Sequence, residues 1–136
     1  MGDANVVKIA VVDSYNLTRV CISQLLNDMG FKTTSAKDDK DFLNQILRTG
    51  LMPEVCFIDV DTSLVNNFKM AYRIKERYPE IIIVAYSLLE LKQNCGEKYG
   101  ADVFIEKSCT SEEIKFLILG LIKKPAREQA SSYKPN

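Results

Sequence analysis

The amino-acid sequence predicts a doubly wound α/β domain built on a five-stranded parallel sheet with the strand order 2-1-3-4-5. Short apolar segments alternate along the chain with segments whose apolar residues recur every three or four positions, which makes five strand–helix pairs. Right-handed crossovers that must cover both faces of a sheet favour the doubly wound arrangement. In this order the switch point lies beside strands one and three, so ligand chemistry is expected at the carboxyl ends of the strands.

The first pair begins with residues 6–12, a nearly continuous apolar run that is typical of a central strand. The spacing of apolar residues over 17–29 predicts a helix that ends at Gly30. The second pair begins with residues 31–36, which are more polar and suit an edge strand, and continues with a helix over 38–47.

The third pair starts at the short apolar strand 55–58, which ends at Asp59. A loop through the Asn66-Asn67 pair is expected to precede a helix over 68–78.

The last two pairs occupy the C-terminal half of the domain. Residues 80–86 predict a strand that is buried on both sides, and 88–98 predict a weaker helix that ends at Gly100. Residues 103–105 predict the fifth strand, and 111–122 the last helix. Residues 1–124 are therefore expected to form one domain, and the polar segment 125–136 a disordered tail or linker stub.

The charge and composition exclude several classes of function. Lys and Arg number 18, Asp and Glu also number 18, and the formal net charge is +0, so no net field draws the chain to nucleic acid or anionic lipid. No apolar run approaches the length of about 20 residues that spans a membrane, and no signal segment opens the chain. The protein is expected in the cytoplasm, where its 4 widely spaced cysteines would be reduced, buried thiols.

The chain contains 0 histidines, which excludes every mechanism that needs an imidazole of its own. Chemistry must therefore rely on carboxylates, hydroxyls, lysine or a bound metal.

Polar or charged residues stand at the ends of the central predicted strands. These residues are Asp13 with Ser14, Asp59, Ser87 and Lys107. Taken alone, each is typical of a turn, a helix cap or a solvated surface. Because the strand ends meet at one edge of the sheet, their convergence indicates a site for a hard divalent cation, with Mg²⁺ preferred. A carboxylate there could attack a phosphoryl group, while a hydroxyl and an ammonium group hold its oxygens.

Four segments of the chain resemble the receiver domains of bacterial two-component response regulators, in order and at matching spacing. The segments are 11–19 (VVDSYNLTR), 55–59 (VCFID), 79–87 (PEIIIVAYS) and 100–107 (GADVFIEK). The resemblance implies a flavodoxin-like receiver fold and a signalling switch, not an enzyme. It implies a histidine kinase as phosphodonor and an unidentified downstream protein as partner, and it leaves a homodimer open.

The resemblance also implies a role for each site residue. Asp59 would accept the phosphoryl group, Asp13 and Asp59 would bind Mg²⁺, and the backbone carbonyl of Asp61 would complete the metal site. Ser87 and Lys107 would hold the phosphoryl oxygens. Phe104 would be the aromatic switch residue whose rotamer follows their movement.

Several positions depart from the family pattern, and two of them, Ser14 and Leu88, bear most directly on function. Ser14 stands where the family has a second acid, so Mg²⁺ should bind more weakly, although the serine hydroxyl or a water could fill the coordination position. Leu88 follows Ser87, and in this feature the chain resembles receivers that precede a helix-turn-helix DNA-binding domain. This chain contains no such domain, so direct nucleic acid binding is not expected.

Three hypotheses follow. The first is a working receiver that is phosphorylated on Asp59 and then changes its partner binding. The second is a pseudo-receiver, a protein-interaction module with weak or no phosphorylation because of Ser14. The third is an unrelated cofactor-binding protein or enzyme of the same fold, which would need a Gly-rich phosphate loop where this chain has the acidic segment 13–16.

Overall fold

The computed structural model describes residues 6–59, 65–87, 100–106 and 110–123. The strands are β1 (Lys8–Val12), β2 (Lys32–Ala36), β3 (Val55–Asp59), β4 (Ile82–Ser87) and β5 (Val103–Glu106). The helices are α1 (Asn16–Asp28), α2 (Asp39–Thr49), α3 (Val65–Arg77) and α4 (Ser111–Lys123). The helix predicted over 88–98 and the tail 125–136 lie outside the described residues.

The five strands form one sheet in the order β2-β1-β3-β4-β5, and every neighbouring pair is parallel. The predicted fold class and strand order are therefore confirmed. β2, predicted as an edge strand from its polar sequence, lies at the edge and keeps only its last residue, Ala36, fully buried. β3, in the centre, is buried along its whole length. A central parallel strand is apolar on both faces because helices cover both sides of the sheet.

Alternate residues of each strand pack into two separate apolar layers. On one side, Phe42 and Ile46 of α2 and Met70 and Ile74 of α3 cover the sheet. On the other side, Leu26 of α1 and Ile114 and Ile118 of α4 do so. We call these the α2/α3 layer and the α1/α4 layer. In β1, Ala10 and Val12 enter the first layer, whereas Ile9 and Val11 enter the second.

The predicted start of α3 at residue 68 is wrong, because the helix begins at Val65 and includes Asn66 and Asn67. Asparagine lowers helix stability by only a few tenths of a kcal/mol, and tertiary packing overrides so weak a preference. Met70 and Ile74 are buried against the sheet and hold the helix in place. The helix extends backwards from that anchor by one further turn.

The prediction of buried cysteines is confirmed at Cys56 and wrong at Cys21, which is exposed; both are free thiols. Cys95 and Cys109 lie outside the described residues. Cys21 lies on the outer side of α1, where Leu17 and Val20 are also exposed. The helix predicted from the apolar spacing is confirmed, but α1 carries more apolar residues than the α1/α4 layer can cover. Leu26 is its fully buried residue.

The segment Gly100-Ala101-Asp102 leads directly into β5 and contacts α3. Gly100 has φ 77 and lies so close to the ring of Tyr72 that a Cβ there would come within 3.0 Å of it. The carboxylate of Asp102 accepts the Ile83 N–H at 2.8 Å and pairs with Lys75 of α3 at 2.8 Å. The GAD motif therefore sets the register of β5 beside β4.

No helix in the described ranges combines the length and apolar character that a membrane crossing requires.

Candidate functional site

Two carboxylates lie at the carboxyl ends of the adjacent strands β1 and β3. Asp13 directly follows β1 and Asp59 is the last residue of β3. Val12 is paired with Ile58 in the parallel β1–β3 ladder, so the next residues along each strand, Asp13 and Asp59, lie side by side. The backbone N–H of Asp13 donates to the Ala36 carbonyl at 3.0 Å, which extends the β1–β2 ladder to this residue. The sheet therefore fixes the backbone at both positions.

Both carboxylates are buried: Asp13 is 0% exposed and Asp59 is 1% exposed. A buried carboxylate is unfavourable unless hydrogen bonds or a cation compensate for lost hydration. Two of them side by side also repel each other. This strand-end pocket is therefore a place where a cation is electrostatically favoured.

The Asp13 carboxylate is held at both oxygens. Its Oδ1 accepts the backbone N–H of Tyr15 at 2.9 Å, a local turn of the kind that aspartate commonly makes. Its Oδ2 accepts the phenolic O–H of Tyr86 at 2.6 Å, although Tyr86 lies 73 residues away in the chain. The backbone carbonyl of Asp13 accepts Nη1 of Arg19 at 2.7 Å.

Tyr86 belongs to the floor of this pocket. It is 1% exposed, its Cα is paired with that of Asp59 in the β3–β4 ladder, and its ring lies 6.1 Å from that of Phe57 at 49°. Burial raises the pKa of Tyr86 strongly, and the negative charge of Asp13, its hydrogen bond and the charge of Asp59 raise it further. The phenol is therefore protonated, and it lies near both carboxylates.

Ser14 stands on the solvent side of this arrangement. Its side chain is exposed, whereas the neighbouring Asp13 is fully buried. An acid at position 14 would therefore have been the outer carboxylate of the pocket. Its replacement by serine leaves the two inner ones in place and removes one negative charge.

The other predicted site residues are described to different extents. Ser87 ends β4, as its position after the apolar run predicts, and its backbone alone is described. Asp61 and Lys107 lie outside the described residues. Phe104 lies on β5, paired with Ala85, and packs half-buried against the α2/α3 layer. The roles assigned to these residues stay predictions.

The described oxygen donors suit a magnesium ion. Within the described ranges no group of three or more acidic, cysteine or histidine side chains forms a closed metal cage. Mg²⁺ is commonly held by one or two carboxylates and keeps several waters, which Asp13 and Asp59 match. A soft or nitrogen-preferring metal would find no suitable donors in this pair.

Residues 9–119 match the model of the response regulator receiver domain. The chain belongs to this family. Among curated proteins, the receiver domain is similar to the sensor histidine kinase RcsC of Escherichia coli strain K12, with 27% identity over 118 residues. The match covers 85% of this chain but only 12% of RcsC, so the chain spans about an eighth of that protein.

Solved receiver structures show the same fold. The chemotaxis protein CheY4 of Vibrio cholerae superposes with a TM-score of 0.73 at 18% identity, covering 86% of this chain and 99% of CheY4. The BeF3-activated DrrB receiver domain superposes with a TM-score of 0.70 at 24% identity, covering 88% of this chain and 99% of DrrB. Identities this low show the fold of the receiver domain and no more.

Two residues of the pocket were missed in the sequence, Tyr86 and Arg19. Tyr86 is the one polar side chain in the otherwise aliphatic strand before Ser87. A buried tyrosine needs a partner for its hydroxyl, and alternation places it on the same side of the sheet as Val84. These two features favour a partner near the strand ends, but nothing local in the sequence identifies Asp13 as that partner.

Proposed function

We propose that this receiver domain is a phosphorylation-dependent switch in which Asp59 accepts a phosphoryl group from a histidine kinase. The observation that carries the proposal is the pair of buried carboxylates, Asp13 and Asp59, at the ends of adjacent central strands. Two adjacent, fully buried aspartates are rare where they serve structure alone, because desolvating both carboxylates is costly. Such pairs are found mainly where a function requires them.

In the proposed reaction a carboxylate oxygen of Asp59 attacks the phosphorus of a phosphohistidine. The new O–P bond forms as the P–N bond breaks, and the departing imidazole takes up a proton. The product is an aspartyl phosphate on this chain and an unmodified histidine on the kinase. The protein turns over no substrate of its own, so its role is that of a switch and not of an enzyme.

Receiver domains generally bind Mg²⁺ in their phosphorylation site, and a bound Mg²⁺ would neutralise the negative charge that builds up on the transferred group. We propose that Asp13, Asp59 and the backbone carbonyl of Asp61 hold it, with the Ser14 hydroxyl or a water in the remaining position. Ser87 and Lys107 would then contact the phosphoryl oxygens, and Phe104 would change rotamer with them.

The proposed partners follow from the same chemistry. A histidine kinase supplies the phosphoryl group, and a downstream protein, or a second copy of this chain, binds the altered surface. The match to the response regulator receiver family and the similarity to a region of a sensor histidine kinase support phosphotransfer. We propose no direct contact with nucleic acid, and we propose that the domain works in the cytoplasm.

The pseudo-receiver remains a second candidate because of one observation. Ser14 places an exposed hydroxyl at the position where the family has an outer carboxylate. If the two inner carboxylates alone bind Mg²⁺ too weakly, the domain would signal through binding without phosphorylation.

Incubation with acetyl phosphate and millimolar Mg²⁺, followed by intact-mass measurement, tests the proposal. The wild-type chain and the control Asp28→Asn, which alters an exposed carboxylate at the end of α1, are expected to gain one phosphoryl group. Asp59→Asn is expected to gain none. Absence of any mass gain in the wild-type chain would contradict the proposal and support the pseudo-receiver.

A further inference from the structure

We infer that Tyr86 is a positioning residue for the metal site: its phenolic O–H fixes the Asp13 carboxylate in one orientation for Mg²⁺ binding. The inference rests on the proposed function, since it takes Asp13 as a metal ligand. Tyr86 is not among the residues that the family resemblance assigns to the site.

The hydrogen bond crosses the centre of the sheet. Tyr86 is on β4 and Asp13 follows β1, while β3 lies between these two strands. Neighbouring strands lie about 4.8 Å apart, so the side chain bridges roughly 10 Å between backbones. A long, rigid side chain with a donor at its tip is required for this contact, and tyrosine provides both.

The Asp13 carboxylate is held from two directions. The Tyr15 N–H reaches Oδ1 and the Tyr86 O–H reaches Oδ2, so each oxygen accepts one bond. With both oxygens engaged, rotation of the carboxylate about its last torsion breaks at least one hydrogen bond. A carboxylate offers about four acceptor sites, so about two remain for a metal or its waters.

The donor is neutral, and this decides the sign of its effect. An arginine or lysine in the same place would orient Asp13 but also repel a divalent cation. A phenol orients the carboxylate and leaves its full negative charge to attract Mg²⁺. Hydrogen bonds from outer residues commonly orient metal-binding carboxylates in this way. With Ser14 in place of an acid, fewer charged ligands remain, so the orientation of Asp13 carries more of the affinity.

The ring of Tyr86 is held independently of its hydroxyl. It packs in the α1/α4 layer beside Phe57 and is 1% exposed. Tyr86→Phe therefore removes the donor while the ring keeps its apolar contacts. Tyr72→Phe, at a half-exposed position on α3, removes a phenolic hydroxyl away from the pocket and serves as the matched control.

Calorimetric titration of the full chain with MgCl₂ tests the inference. Tyr86→Phe is expected to weaken Mg²⁺ binding by about tenfold to a hundredfold, whereas Tyr72→Phe leaves it unchanged. As a second measurement on the wild-type chain, Mg²⁺ is expected to perturb the near-ultraviolet tyrosine spectrum. That perturbation persists in Tyr72→Phe and is lost in Tyr86→Phe.

Each outcome decides between the inference and the proposal beneath it. If Tyr86→Phe binds Mg²⁺ as tightly as the wild-type chain, or more tightly, the inference is overturned and the proposed function stands. A wild-type tyrosine spectrum that Mg²⁺ saturates without changing likewise overturns the inference alone, even if Tyr86→Phe fails to fold. If the wild-type chain binds no Mg²⁺ at millimolar concentrations, both fail together.

Discussion

Tyr86 and Cys56 are buried on neighbouring strands, and each side chain loses a proton only when it ionises at alkaline pH. Burial raises the pKa of each well above its ordinary value, 10.0 for the Tyr86 phenol and 9.0 for the Cys56 thiol. Both therefore keep their protons in the folded protein at pH values where the unfolded chain loses them. Their contribution to stability is complete below the ordinary pKa values and declines above them.

The expected result is a free energy of unfolding that falls as the pH rises above about 9, with a slope of up to about 1.4 kcal/mol per pH unit from each group. Urea denaturation at a series of alkaline pH values measures it. Tyr86→Phe should remove the part of the slope that begins near pH 10, and Cys56→Ala the part that begins near pH 9. A stability that stays flat to pH 11 in the wild-type chain would be inconsistent with the burial of both groups.

Ser14→Asp is the substitution that restores an acidic outer ligand to the pocket. It is expected to tighten Mg²⁺ binding by about one order of magnitude, because it adds a hard oxygen donor and a unit of negative charge beside two buried carboxylates. Titration calorimetry with MgCl₂ measures the change. Asn16→Asp, two residues further along on the exposed start of α1, is the control and should have a much smaller effect. Equal affinity in the Ser14→Asp variant would mean that position 14 does not face the metal.

At the level of the elements, α2 is capped at both of its ends. The Asp38 carboxylate accepts the Asp41 N–H at 2.8 Å at its start. Gly50, with φ 73, donates its N–H to the Ile46 carbonyl at its end. These caps satisfy backbone groups that the helix itself leaves open.

Asp38→Ala is expected to lower the free energy of unfolding by about 1 kcal/mol, since it removes the helix cap. Urea denaturation at neutral pH provides the measurement. The control is Asp28→Ala, which removes an exposed carboxylate from the C-terminal end of α1. It should change the free energy of unfolding by less than about 0.5 kcal/mol. A cost as small as that of the control would show that the Asp38 bond does not stabilise α2.

The elements also show what sequence patterns can and cannot predict. Strand ends were predictable because apolar runs stop at Asp13, Asp59 and Ser87, and a strand in a covered sheet must end where polarity begins. The start of α3 was not, since Asn66 and Asn67 favour a loop locally and only packing further along the helix overrides them. The Tyr86–Asp13 bond was out of reach for another reason: its partners are 73 residues apart and meet only because β4 and β1 flank β3.

Across the whole molecule, the sheet separates the two regions that the proposed switch must connect. Tyr86, with its hydroxyl on Asp13, packs in the α1/α4 layer together with Ile114 and Ile118 of α4. Phe104 packs on the opposite side, against the α2/α3 layer. Phosphorylation of Asp59 could therefore affect both layers. Tyr86 connects the pocket to the α1/α4 layer, and β4 and β5 connect it to Phe104 in the α2/α3 layer.

The most direct test of the account is to locate the phosphoryl group. After treatment with acetyl phosphate and Mg²⁺, borohydride reduces an aspartyl phosphate to homoserine, and peptide mass spectrometry then identifies the modified residue. We predict homoserine at Asp59 alone, dependent on both Mg²⁺ and the phosphodonor. Homoserine at another aspartate, or none under conditions that modify a known receiver in parallel, would contradict it.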